Sequence, residues 1–133
     1  MPTSLTHPTQ AWPIAAALLD ALSRRNFDAL QDCLDDRVRF RALVPSGAFQ
    51  LDGAGDTAAK FRAWFGGDDA FEVADAAVGQ LGTRMYARWR VRMWPPGRPG
   101  QARVAEQHVF TTGDQRLDTI DLLCSGFLAE VAT

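Results

Sequence analysis

The chain of 133 residues contains no apolar run near the ~18 residues that a membrane-crossing helix needs, so no membrane partner is expected. Cysteine is scarce. Cys33 and Cys124 stand alone and far apart, without metal-site spacing, so each reads as a small buried apolar residue in a reducing compartment, and no metal is expected. Residues Met1 to Pro8 lack a basic segment followed by an apolar one, which excludes a signal peptide and points to the cytoplasm. The formal net charge of -2 gives no whole-chain case for nucleic acid. No repeat and no low-complexity segment interrupts the chain. Lysine is almost missing, with 1 against 13 arginines, so the cationic surface is a guanidinium surface.

What is present is ordinary for a globular protein: 47% apolar and 23% charged residues in a length that suits one domain. Such a domain buries about two-thirds of its unfolded surface, enough for a core and a pocket. Residues 1–9, polar and Pro-containing, read as a flexible arm, with His7 inert within it; residues 10–133 read as the single domain.

Ile14, Leu18, Ala21 and Leu22 recur at helical spacing between Gln10 and Arg25, and Pro13 suits the first turn. Asn26 caps a second helix carrying Phe27, Leu30, Cys33 and Leu34, ended by Asp35-Asp36. Val38, Phe40 and Ala42 alternate with Arg37, Arg39 and Arg41, a strand, and Ala48–Leu51 returns after Pro45-Ser46-Gly47. Gly53-Ala54-Gly55 reads as a tight turn, and Asp56 as the cap of a helix over Thr57–Phe65 that Gly66-Gly67 stops. Everything after that is strand: Phe71–Val78, Met85–Trp94, Arg103–Thr112 and Arg116–Phe127, with Pro95–Gly100 a loop without room for helix. The strongest signal is Arg84 to Trp94, where Arg88, Arg90 and Arg92 alternate with Ala87, Trp89, Val91 and Met93. That period of two gives a strand with one buried and one wet face.

Helices gathered first and strands gathered last predict an α+β fold, a curled antiparallel sheet packed on the N-terminal helices. The spacing resembles the nuclear transport factor 2-like superfamily, a cystatin-like cone, and its SnoaL-like branch most closely. The residues that carry the resemblance run from Ala16-Ala17-Leu18-Leu19-Asp20 through Asn26–Leu30 to Asp35–Phe40. They continue through Gly47, Gly53 and the Thr57–Phe65 helix to His108-Val109-Phe110 and Arg116–Ile120. The resemblance covers about residues 12–127. It implies a pocket between sheet and helices, a homodimer through the convex sheet face, and a superfamily that hosts isomerases, cyclases, hydrolases and non-catalytic members.

Strand parity then names a site. The inward wall is expected to contain Phe40, Trp64, Trp89, Val91, Met93, Phe110, Ile120 and Leu122, binding a small hydrophobic molecule. Counting by twos from Phe110 and Ile120 puts Glu106, His108 and Asp118 on that same face, with Asp118 close to His108 or Phe110 across the last hairpin. An imidazole beside a carboxylate in an apolar hollow is a general acid/base pair, His108 acting and Asp118 or Glu106 its partner. No organic cofactor is expected. The resemblance to ketosteroid isomerases is incomplete: Glu106 matches their acid, but the tyrosine position falls near Ala17 or Leu18 and the base position near Arg41 or Ala42. The reading is therefore a small-molecule-binding protein, either a cofactor-independent isomerase, cyclase or hydrolase, or a non-catalytic ligand-binding or interaction module with the same cavity. Arg39, Arg41, Arg88, Arg90 and Arg92 are expected on the convex face, solvated, paired with Asp121 or Asp118, or facing a second copy.

Overall fold

Pro13 falls in the first turn of α1, Trp12–Ser23, where its missing N–H costs no helical hydrogen bond. The computed structural model describes residues 12–130, so the expected arm, with His7, lies outside the described residues. Ala15, Leu18, Ala21 and Leu22 form the buried stripe of α1. Asn26 caps α2, Phe27–Asp32, its side-chain oxygen accepting from the Ala29 N–H at 3.0 Å. The expectation that this helix carries Cys33 and Leu34 and ends at Asp35-Asp36 is corrected: it ends at Asp32, and β1 already spans Leu34–Val44. β2, Gly47–Asp52, returns beside it.

The next helix, α3, runs Ala54–Phe65, three residues earlier than expected. Gly53 rather than Asp56 precedes it. The Gly53 carbonyl accepts from both the backbone N–H and the hydroxyl of Thr57, at 3.2 and 2.8 Å, which draws the Gly-Ala-Gly segment into the first turn. Asp56 instead lies within that turn, where a negative charge suits the helix dipole. β3 is Ala70–Leu81, β4 Arg84–Trp94, β5 Arg103–Gly113, β6 Leu117–Cys124 and β7 Leu128–Ala129. A short 3-10 turn at Pro99–Gln101 occupies the loop where helix had been excluded.

The strands order as β2-β1-β6-β5-β4-β3, with β7 paired on β5. The sheet is mixed, not antiparallel throughout: β1 and β6 run parallel, from Leu34↔Leu117 to Leu43↔Leu123. The direction of β1 is set by its hairpin with β2, and that of β6 by its hairpin with β5. The intervening chain supplies the long crossover that a parallel pair needs. The curled sheet and the three helices close over one core, in which Phe40, Phe61, Phe65, Trp89, Leu18, Leu22 and Leu30 are completely buried. The architecture is the α+β cone with helices on one face.

Candidate functional site

On β4 the expected faces hold. Ala87, Trp89, Val91 and Met93 are at most 3% exposed, and the arginines between them look out. Val38, Phe40 and Ala42 on β1 point inward as well. On β5 the faces are exchanged. Its buried row is Ala105, Gln107, Val109 and Thr111, so Glu106, His108 and Phe110 lie on the outer face with the arginines. The reason is registry with β4. Val91 stands opposite Ala105, Trp89 opposite Gln107 and Ala87 opposite Val109, and cross-strand partners share a face. Counting from Phe110 misled because both rows of β5 carry one large apolar residue and polar neighbours. Phe110 is covered from outside, its ring 5.2 Å from that of Tyr86. The β4 pattern, carried across the hairpin, was the signal that could have fixed this row.

Ile120 and Leu122 do face the core, but Asp118 does not follow them. The register shifts between Thr112 and Gly113, which turns Asp118 outward; its carboxylate accepts from the Thr112 hydroxyl. The expected neighbour of His108 is therefore not Asp118. His108 stands opposite Leu123, and its carboxylate is Glu106, two residues away on its own strand.

These outward groups form a hydrogen-bonded chain. Tyr86 Oη lies 2.8 Å from His108 Nδ1, and His108 Nε2 lies 2.7 Å from Glu106 Oε2. The other carboxylate oxygen accepts from Arg90 Nε and Nη2 at 3.1 and 2.9 Å. Hydrogen bonds from His108 and Arg90 hold the Glu106 carboxyl below its usual range. An ionised carboxylate only accepts, so His108 Nε2 donates to Glu106, while Nδ1 pairs with the Tyr86 hydroxyl. The chain lies across the outer sheet surface, on the far side from the helices.

The arginine row is paired throughout β4. Arg88 bonds Asp75, and Arg92 bonds Glu130 at 2.8 Å. Asp121 gathers Arg41 at 2.8 Å, Arg84 at 3.4 Å and Arg39 at 3.9 Å. The Arg41 hydrogen bond, and behind it the charges of Arg41, Arg39 and Arg84, depress the Asp121 carboxyl below its ordinary 3.8 against an opposing effect of burial. A depressed carboxyl adds stability above its unfolded value and loses it as pH falls through the lower folded value. Asp121→Asn is thus expected to cost about 1 kcal/mol at neutral pH. The gap from the parent should close as pH falls below about 4, which urea melts at pH 7 and pH 3 will check. A gap that is the same at both pH values would contradict the assignment. Beside this cluster lies an outer trough of about 460 Å³ lined by Arg41, Leu43, Ala48, Phe110, Asp121 and Leu123.

The interior is filled where the sequence suggested a hollow. Phe40, Trp89, Val91, Met93, Ile120 and Leu122 are packed side chains of the core, 0–3% exposed. On the helix side a concave space lies towards one end, where β1, β2, α3 and the segment after β6 meet. This pocket of about 340 Å³ is lined by Val44, Pro45, Ser46, Phe49, Lys60, Trp64, Cys124, Gly126 and Phe127. Trp64 is the single expected wall residue that borders it. Behind the pocket, aromatic rings pack in series: Trp64 on Phe40 at 6.2 Å, on Phe61 at 5.5 Å and on Phe49 at 6.3 Å. Of the lining residues, Cys124 meets a polar pair buried in the core behind it. Trp89 Nε1 donates to Gln107 Oε1 at 2.9 Å, and Gln107 Nε2 donates to Cys124 Sγ at 3.4 Å. No imidazole and no carboxylate lines this pocket. Among the described residues no cluster of metal-ligating side chains occurs, and no helix is long and apolar enough to cross a membrane. Sequence reasoning missed Phe49, Lys60 and Phe127 as pocket residues, because a mouth assembled from strand ends, a turn, a helix and the segment after β6 follows no single strand parity.

Residues 15–117 match the SnoaL-like domain family. No curated protein matches the sequence. Among solved structures, an LEH-like epoxide hydrolase from M. tuberculosis superposes with a TM-score of 0.67 at 20% identity, over 89% of this chain and 84% of the other. A candidate polyketide cyclase from Xanthomonas campestris pv. campestris gives 0.68 at 20% identity, over 87% and 90%. A candidate ketosteroid isomerase from Kribbella flavida gives 0.62 at 16% identity, over 95% and 85%. At these identities the likeness is one of fold.

Proposed function

We propose, from the premise that this chain belongs to the SnoaL-like domain family, that it binds a small and largely apolar molecule at the mouth of the cone. The observation that carries the reading is the pocket of about 340 Å³, walled by Phe49, Trp64, Val44 and Phe127. That size suits a compact organic ligand, and aromatic walls with few polar groups are the usual composition of such sites. The acid/base chemistry expected of His108 is not part of this reading. His108 and Glu106 sit on the outer face, and Asp118 is spent on Thr112. A binding role without proton transfer by those residues fits the geometry better than an isomerase, cyclase or hydrolase working through them.

The outer face has its own role in this proposal, as the contact between two copies. Leu43 and Leu123 are 51% and 50% exposed there, in the trough beside Phe110. The surrounding Arg and Asp/Glu side chains carry both signs of charge, which suits a self-complementary face.

Two variants separate the two surfaces. N-phenyl-1-naphthylamine, a neutral apolar dye, should bind the parent protein saturably. Trp64→Ala should weaken that binding about tenfold or more, since a buried aromatic wall dominates such contacts. Leu123→Arg should leave dye affinity within about twofold and shift sedimentation from the mass of two chains to that of one. Dye binding lost in Leu123→Arg but kept in Trp64→Ala would place the ligand on the wrong side of the sheet. A parent protein that sediments as one chain would remove the dimer.

A further inference from the structure

Resting on the proposed ligand pocket, we infer that the ligand carries an anionic group, such as a carboxylate, that Lys60 receives at the rim. Lys60 is the one lysine among 14 basic residues. It projects from α3 over the pocket wall, with Nζ 4.8 Å from the Phe49 ring centroid and 5.6 Å from that of Trp64. Both rings line the same pocket as Lys60 itself. The ammonium is therefore held half-buried against two aromatic faces, at the edge of an apolar space.

Its treatment differs from that of the arginines on the sheet. Arg41, Arg88, Arg90 and Arg92 each meet a carboxylate. Among the described residues Lys60 has no carboxylate within ion-pair distance, and none lines the mouth pocket. Asp56, one helical turn earlier, borders the same helix flank on the outer side, as the groove lined by Leu51, Asp56, Ala59, Lys60 and Ala63 records. Between these two directions the ammonium lies over the aromatic pair. The pocket thus has apolar walls, only the neutral Ser46 hydroxyl and Cys124 thiol as further polar side chains, and one positive charge from Lys60. A ligand with an apolar body and one negative end satisfies all three features. An ammonium is a point charge with three rotatable donors, so a carboxylate can meet it without the fixed fork that a guanidinium demands. A neutral ligand would leave it to solvent and gain nothing from it.

The experiment compares two ligands with the same aromatic body, naphthalene-1-acetate and naphthalene-1-acetamide, titrated at pH 7 by quenching of tryptophan fluorescence. The parent protein should bind the acetate at least about tenfold tighter than the acetamide, and the preference should shrink as salt is raised. Lys60→Gln should bring the two affinities together, and Lys60→Arg should retain a preference for the acetate. The amide affinity in Lys60→Gln, expected to stay within about threefold of the parent, reports that the pocket has survived the substitution. Equal binding of the two ligands by the parent overturns the role of Lys60 and leaves the pocket standing. A preference that persists in Lys60→Gln overturns it too, and directs attention to Arg41, Arg39 and Arg84 on the outer face. If neither compound nor the neutral dye binds, the pocket reading itself falls.

Discussion

Trp89→Ala is expected to destabilise the protein by about 3–5 kcal/mol from lost burial and the cavity left behind. Trp89 is fully buried at the centre of β4, 6.4 Å from the Phe61 ring. A second cost follows from its N–H. Gln107 is also fully buried, and its Oε1 accepts from Trp89 Nε1 at 2.9 Å. Removing the indole strands that oxygen away from water, which costs about 1–3 kcal/mol more. Against a total stability of about 5–15 kcal/mol, the variant should be at or near the edge of folding at 25 °C. Trp89→Phe keeps much of the volume but not the donor. Adding Gln107→Leu to it should restore part of the loss, since the orphaned acceptor disappears with the donor. Denaturant melts of the three proteins will decide this. A Trp89→Ala midpoint within about 1 kcal/mol of the parent would show that Trp89 is not the centre of the core.

Gly113→Ala is expected to cost at least about 2 kcal/mol, although it adds one methyl group. Gly113 has φ +136°, and a Cβ built there would lie 2.1 Å from the Arg116 carbonyl oxygen and 2.8 Å from Leu117 Cα. Those are backbone atoms, so no rotamer change relieves the overlap. The turn between β5 and β6 would have to open, and Leu117, fully buried, would be pulled from its pairings with Gly113 and Leu34. Gly82, in the turn between β3 and β4, is the control. It also has a positive φ, +61°, but a Cβ there meets nothing within 4 Å. Gly82→Ala should therefore cost only about 1 kcal/mol, the intrinsic penalty of the left-handed region. Similar melting temperatures for the two alanine variants would refute the steric argument.

The two glycines show how far the sequence could be read. Gly113 falls between the expected strands Arg103–Thr112 and Arg116–Phe127, and Gly82 between Phe71–Val78 and Met85–Trp94. Nothing local distinguished the crowded one from the open one, because the crowding comes from the return of β6. The same contrast runs through the rest of the fold. The alternation Arg88–Met93 gave both faces of β4, since every second residue is charged. Asn26 announced the start of α2 because its side chain is the cap. β5 resisted the same treatment: Phe110 and Val109 are adjacent, and only pairing with β4 decides which is buried. The parallel β1–β6 contact was invisible for a similar reason, as partners far apart in sequence leave no mark on either segment. Of the candidate site, Trp64 was legible as an aromatic on a helical stripe. His108, Glu106 and Asp118 were named for their chemistry, but a sheet face and a register shift outweighed it. The pocket itself is made by Phe49, Lys60, Phe127 and the chain around Ser46, brought together by tertiary structure alone.

That parallel contact also orders events during synthesis. The Leu117 N–H donates to the Cys33 carbonyl at 2.8 Å, and β6 fills the place between β1 and β5. Without β6 the sheet is in two pieces, the hairpin β1–β2 and the meander β3–β5, which the helices alone hold near each other. Each presents a bare strand edge to its surroundings. The eight-residue β6 is the keystone that joins them, so both edges stay open to wrong pairing until that strand has been made.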